Sequence, residues 1–184
     1  MNSHTSLPPD FFAAFGATPR HFPSWDGTPA GIWALLAQVP DPEIPVISLV
    51  GLGVIREVTV DGENVEVVFT PTYAGCPATE VIKADISAAL MAAGVVNCRL
   101  RMQLSPAWTT DWISPDARTA LREYGIAPPA SAVSGTTHTL NFVPACPRCG
   151  SRRTERLSAF GATPCKALHR CLACAEPFDY FKPL

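Results

Sequence analysis

The sequence predicts an α+β fold: a small sheet of three or slightly more strands packed with helices, followed by a small C-terminal metal module. Three observations carry this reading. Apolar residues recur at helical spacing in some stretches and alternate at strand spacing in others, in the order helix, two strands, helix, strand, helix. Four cysteines near the end of the chain fall into two pairs, Cys146-Pro147-Arg148-Cys149 and Cys171-Leu172-Ala173-Cys174. At 184 residues, 47% hydrophobic and 16% charged, the chain can bury one medium core and carry something small beside it.

Residues 1–27 read as an N-terminal arm. Phe11, Phe12, Phe15, Phe22 and Trp25 make it too aromatic for a solvated tail, so it is expected to dock on a neighbouring surface. The first helix starts at Thr28-Pro29, a hydroxyl N-cap followed by proline at the first helical position. Ile32, Leu35, Leu36 and Val39 form its buried stripe, and Pro40 stops it. Residues 54–60 alternate as a strand, residues 65–70 put Val65, Val67 and Phe69 on one face, and Asp61-Gly62-Glu63-Asn64 between them is a hairpin signal. A second helix is predicted from Pro77 to about Ala93, burying Ile82, Ile86, Ala89, Leu90 and Ala93, with Gly94 at its C′ position. A third strand alternates Cys98, Leu100, Met102 and Leu104, read as its buried face, with Arg99, Arg101 and Gln103. Ser114-Pro115-Asp116 opens a last helix ending near Tyr124-Gly125. The α+β domain thus spans 28–126, a linker rich in Ala, Ser, Pro, Gly and Thr spans 127–143, and the metal module spans 144–184, with short strands at 154–160 and 178–181.

The two-residue spacer inside each cysteine pair lets both thiolates turn onto one ion, and two such pairs supply a tetrahedral sulfur cage. One structural zinc at Cys146, Cys149, Cys171 and Cys174 is expected, ahead of a mononuclear iron or an iron–sulfur cluster, in a zinc-ribbon-like module too short to fold without it. His169 could replace a cysteine ligand, but the paired spacing makes that the weaker choice. Disulfides would require secretion, and Met1 to Thr28 resembles neither a secretion signal nor an anchor. No apolar run approaches the roughly 18 residues of a membrane span, so a cytoplasmic protein is expected. Net charge is −2, unevenly placed: from Pro144 onward seven Lys/Arg face three acids, a net of +4, leaving −6 on the remainder. The module could dock on an acidic partner, or its arginines could simply solvate it. The larger domain lacks interleaved basic and aromatic residues, which argues against nucleic acid.

Cys76, in Thr72-Tyr73-Ala74-Gly75-Cys76-Pro77, falls at the predicted helix N-cap, where unpaired amides and the macrodipole would lower a thiol's pKa. The alternative is a small cysteine that merely caps. Cys98 reads as a core residue. Cys165 could exchange with a knuckle ligand, act as an exposed thiol, or pack. In Asp41-Pro42-Glu43-Ile44-Pro45, two prolines hold a loop extended and space two carboxylates that could ligate a hard or borderline metal, or form a rigid solvated loop.

The Asp41-Pro42-Glu43-Ile44-Pro45-Val46 loop before a hairpin, then Thr70 and Gly75-Cys76-Pro77-Ala78-Thr79 at a helix start, resembles the MIP-type domain of cytosolic iron–sulfur assembly factors over about residues 31–104. The resemblance implies that the acidic loop and the Gly-Cys-Pro turn face each other across one end of the sheet, placing Asp41, Glu43, Thr70 and Cys76 in one site. The segment 106–112 and the ending Cys165-Lys166-Ala167-Leu168 with Glu176-Pro177-Phe178-Asp179-Tyr180-Phe181-Lys182 are similar to the PaaD-type family of the bacterial phenylacetyl-CoA epoxidase system. That resemblance implies a non-catalytic maturation role toward oxygenase and reductase partners, with transient iron or an iron–sulfur cluster at Cys76. The chain has no Glu-x-x-His pair, its four histidines (His4, His21, His138 and His169) lack ligand spacing, and no glycine-rich cofactor loop occurs, so it is read as neither oxygenase nor reductase. Two competing readings stand beside this one: a thiol-redox protein pairing Cys76 with Cys165 or Cys98, and a zinc-ribbon scaffold for an acidic partner.

Overall fold

A computed structural model describes residues 22–129 and 143–183. Phe11, Phe12 and Phe15 of the predicted arm, His4, His21 and His138, and linker residues 130–142 lie outside the described residues. Phe22 and Trp25 do pack on the main core, and the Trp25 amide donates to the Ala93 carbonyl at 2.9 Å.

Helix α1 (Pro29–Leu36) begins as its sequence dictates: Thr28 Oγ1 accepts the Gly31 amide at 3.0 Å, and Asp26 Oδ1 steadies Thr28 by accepting its N–H and O–H. Strands β1 (Ile55–Asp61) and β2 (Asn64–Phe69) pair antiparallel through the two-residue turn at Gly62-Glu63, where Gly62 takes φ +57°. Helix α2 (Thr79–Ala92) then carries the chain to β3 (Asn97–Met102), which pairs parallel with β2 and gives the order β1-β2-β3. A 3₁₀ turn at Thr110–Trp112 leads to helix α3 (Pro115–Tyr124), capped by Ser114 Oγ on the Ala117 amide and closed by Gly125 in the left-handed region. Gly53, at φ +76°, lets this turn come close: a Cβ there would sit 2.6 Å from Trp112 Cβ.

Two expectations are corrected. Helix α2 starts at Thr79 with Ala78 as N-cap, not at Pro77 with Cys76. The Thr79 hydroxyl and amide both bond back to the Cys76 carbonyl, at 2.8 and 3.2 Å, so a separate turn precedes the helix. Cys98 is exposed, Leu100 half-buried and Met102 44% exposed. In register with Val65, Val67 and Phe69 they share the buried residues' face, but among the described residues β3 is an edge strand with nothing paired beyond it. Periodicity identified the face and not the strand's place in the sheet.

The second sheet orders β4-β7-β6-β5, from strands Ile126–Ala127, Pro177–Phe181, Lys166–Cys171 and Thr154–Ser158 respectively. β4 pairs parallel with β7, so the stretch just after α3 is built into the C-terminal sheet. β6 was not expected from the sequence, because it buries Lys166 and His169, residue types that read as surface. Phe181 is fully buried and, with Cys165 and Ile126, belongs to the larger domain's core. Its ring lies 6.0 Å from Trp108, whose Nε1 donates to the Leu52 carbonyl at 3.1 Å. Burying a Phe side chain this fully is worth about 1.5–3 kcal/mol, which ties the module to the domain. Behind β6 and β7, Ala127, Cys146, Ala167, Cys171, Phe178 and Tyr180 form a second, small cluster. No helix among the described residues is long and apolar enough to cross a membrane.

Candidate functional site

The first site is built by two turns of the C-terminal module. Gly150, at φ +74°, returns its amide to the Cys146 carbonyl at 2.9 Å, and the Cys171 amide donates to Glu176 O at 2.9 Å. These turns bring the Sγ atoms of Cys146, Cys149, Cys171 and Cys174 within 4.8 Å of one another, with Cys146–Cys174 at 3.8 Å and Cys149–Cys171 at 3.5 Å. Sulfurs about 2.3 Å from a tetrahedral ion stand about 3.8 Å apart, so the four thiols fit a metal. All seven cysteines are free thiols. Hydrogen bonds from the backbone of Cys174 and Ala173, with the neighbouring thiols, bring Cys171 down to about 6. Cys174, held down only by its bond with the Glu176 backbone, is driven by desolvation and the three other thiols up to about 12. A divalent cation resolves that competition by sharing its charge among all four. His169 takes no part. It is buried beside Phe178 and Tyr180, ring centroids 5.7 and 5.5 Å away, and burial lowers its pKa.

The second site lies between the domain and the module. A narrow cleft is walled by Asp41, Glu43, Thr72 and Cys76 from the domain and by Cys165 and Phe181 from the module. The free space is about that of one water molecule. Asp41 is 6% exposed, and its Oδ1 accepts the amides of Glu43 at 3.0 Å and Ile44 at 2.8 Å, which folds the acidic loop around its own carboxylate. Glu43 Oε2 lies 3.8 Å from Cys165 Sγ, and the Thr163 hydroxyl is 3.0 Å from the same sulfur. Thr70 is not among the cleft walls. It is buried, its Oγ1 has no partner among the described residues, and its amide donates to the Val54 carbonyl at 2.8 Å.

Every acidic group here resists ionising. Burial raises Asp41, despite the two amides and Lys166. Glu43 is raised by burial and then by the Asp41 charge, Cys76 by burial and then by Glu43 and Asp41, and Cys165 by burial and then by Glu43. The expectation that Cys76 is a lowered, helix-activated thiol is therefore corrected: it is not the N-cap, and desolvation beside two carboxylates outweighs the backbone hydrogen bond from Ala78. Lys166 is the nearby cation that eases Asp41, Glu43 and Cys165. It is buried, with its Nζ 3.3 Å from Asp179 Oδ2.

The fold thus brings Asp41, Glu43 and Cys76 to one cleft and leaves Thr70 behind it. Thr72, whose side chain hydrogen-bonds Cys76, stands in the wall instead, two residues along the same chain segment. Lys166 and the pairing of Cys165 with Glu43 were not found from the sequence. The two partners are 122 residues apart, and no local spacing reports such a contact.

Residues 29–98 match a family model described as iron–sulfur cluster assembly protein, and residues 130–182 match one described as PaaD zinc beta ribbon domain. The chain is 54% identical over 153 residues to an Escherichia coli (strain K12) protein named as the putative D-type subunit of 1,2-phenylacetyl-CoA epoxidase, covering 82% of this chain and 90% of that one. Among solved structures it is similar to a domain of unknown function, DUF59, from Bacillus anthracis (29% identity, TM-score 0.48, 50% of this chain and 90% of that one). A conserved hypothetical protein from Thermotoga maritima is a further likeness (30% identity, TM-score 0.45, 52% of this chain and 95% of that one).

Proposed function

Because this chain belongs to the PaaD family of 1,2-phenylacetyl-CoA epoxidase subunits, we propose that it is a non-catalytic accessory subunit that helps assemble the iron or iron–sulfur centre of its oxygenase and reductase partners. The observation that carries this reading is the convergence of Asp41, Glu43 and Cys76 on one cleft in a domain of the iron–sulfur assembly type. A thiol beside two carboxylates offers iron mixed soft and hard ligands. All three hold their protons more tightly than usual, so iron must compete with protons, and binding is correspondingly weak. A donor has to load and then release, and weak binding serves that end.

Thr70 fixes the Val54 wall through its amide. Zinc, one per chain, occupies the four-cysteine cluster as a structural cross-link, a closed four-ligand site without redox chemistry. The exposed Arg152, Arg153 and Arg156 of the module meet an acidic face of a partner in the cytoplasm. Thiol exchange through Cys76 is the weaker reading, because a nucleophilic cysteine needs a lowered pKa and this one is raised.

The test is to produce the oxygenase and reductase subunits with the wild-type chain, with Cys76→Ala, or with neither, and to measure their iron content and epoxidation. Partners made with Cys76→Ala or without the chain should be iron-poor and slow. Fully metallated, active partners made without it would end the maturation reading.

A further inference from the structure

We propose that Cys165 of the C-terminal module is itself a ligand of the iron cargo, so that a single Fe(II) ion is held between the module's Cys165 and the domain's Cys76 and Glu43. This rests on the maturation reading and adds to it a ligand, a nuclearity and a task for the zinc module.

The surroundings of Cys165 include polar groups that a purely packed core thiol does not meet. A buried cysteine that merely fills space is a small hydrophobe among hydrocarbons. Cys165, only 4% exposed and packed on the main core, also meets the Glu43 carboxylate at 3.8 Å and the Thr163 hydroxyl at 3.0 Å, with the buried Lys166 ammonium acting on it. It shares the cleft wall with Cys76, Asp41 and Glu43. The space between them is about one water molecule in size, which suits one ion. Among the described residues the zinc cluster is the one group of three or more metal-ligand side chains already gathered to hold an ion, so the cleft donors are not preset around one. Seating an ion therefore needs a rotamer change of Glu43 or Cys76, in keeping with a site that must also let go.

The module supplies Cys165 from a rigid frame. The Cys165 carbonyl accepts the Lys182 amide at 2.9 Å, and Phe181 beside it is locked in the domain core. Cys165 immediately precedes β6, whose last residue is the zinc ligand Cys171. The two metal sites thus sit at the two ends of one six-residue strand, about 20 Å long at about 3.3 Å per residue. The zinc end sets where the iron end points.

The experiment uses the full-length, zinc-loaded protein titrated with Fe(II) without oxygen, read by equilibrium dialysis and by X-ray absorption at the iron edge. The wild type should bind one iron with two sulfur neighbours and no iron–iron scattering. Cys165→Ser and Cys165→Ala should each keep zinc and secondary structure, leave one sulfur on the iron, and weaken binding about tenfold or more. Cys98→Ser should match the wild type. One sulfur on wild-type iron, or unchanged affinity in Cys165→Ser when Cys76→Ser has lost iron, would overturn the Cys165 ligand and leave the maturation reading standing. Iron–iron scattering would overturn the single ion. A wild type that binds no iron would overturn both readings.

Discussion

Asp41 allows charge and hydrogen bonding to be separated within the cleft. Its Oδ1 holds the Glu43 and Ile44 amides, while burial raises its pKa above the ordinary 3.8. Asp41→Asn keeps an oxygen for both amides and removes the buried charge. Asp41→Ala removes both bonds, at about 0.5–1.5 kcal/mol each, a loss of about 1–3 kcal/mol. At pH 7 the order of stability should therefore be Asn equal to or above wild type, and Ala clearly below. The sign of the pH dependence follows from the raised pKa: the folded state binds the Asp41 proton more tightly than the unfolded chain does. Wild-type stability from this group is full below 3.8 and is lost as pH rises through the folded value. Any advantage of Asp41→Asn should be greatest at neutral pH and shrink as pH falls toward 3.8. Denaturant titrations at several pH values measure this, alongside iron binding, which Asp41→Asn should weaken. If Asp41→Asn is as unstable as Asp41→Ala at pH 7, the ionised carboxylate is an asset to the fold and the desolvation argument is wrong.

Other expectations follow from the same geometry. Cys149→Ser should remove one metal per chain and melt the module's small cluster, seen by metal analysis and loss of near-ultraviolet signal from Tyr180; a module that stays folded would count against the structural role. In the native zinc-loaded protein Cys98, exposed on the edge strand, should alkylate before Cys76 and Cys165, and peptide mapping that finds Cys76 first would restore the helix-activated thiol. Chelating the zinc should uncover Cys165 to the same reagent, and continued protection would separate the two ends of β6. Phe181→Ala should cost about 3–5 kcal/mol in denaturant and loosen Cys165, whereas a loss below about 1 kcal/mol, less than such burial gives, would mean the module is not anchored there.

Much of the fold could be read because its signals are local. Thr28-Pro29 and Ser114-Pro115 carry their own caps, Gly62 its turn, and the paired cysteines their spacing. What escaped depends on tertiary placement. The alternation of Cys98, Leu100 and Met102 could not say that β3 is an edge. The proline after Cys76 suggested a helix start, but the Thr79 hydroxyl took the Cys76 carbonyl and moved the cap to Ala78. β6 hid because its central position in the module's sheet buries Lys166 and His169, residues that read as surface. The acidic loop and Cys76 became a site only through resemblance, and Cys165 joined them only in three dimensions.

A maturation factor of this kind passes iron from its own cleft to its partners. The most direct measurement loads the full-length protein with ⁵⁷Fe(II), mixes it anaerobically with iron-free oxygenase and reductase subunits, re-isolates each, and follows the label by Mössbauer spectroscopy and the recovery of epoxidation. Label should leave the wild-type chain for a partner centre and restore turnover faster than the same amount of free ⁵⁷Fe(II), with Cys76→Ala giving no such gain. Label that stays on the chain, or free iron that restores the partners equally fast, would contradict that transfer.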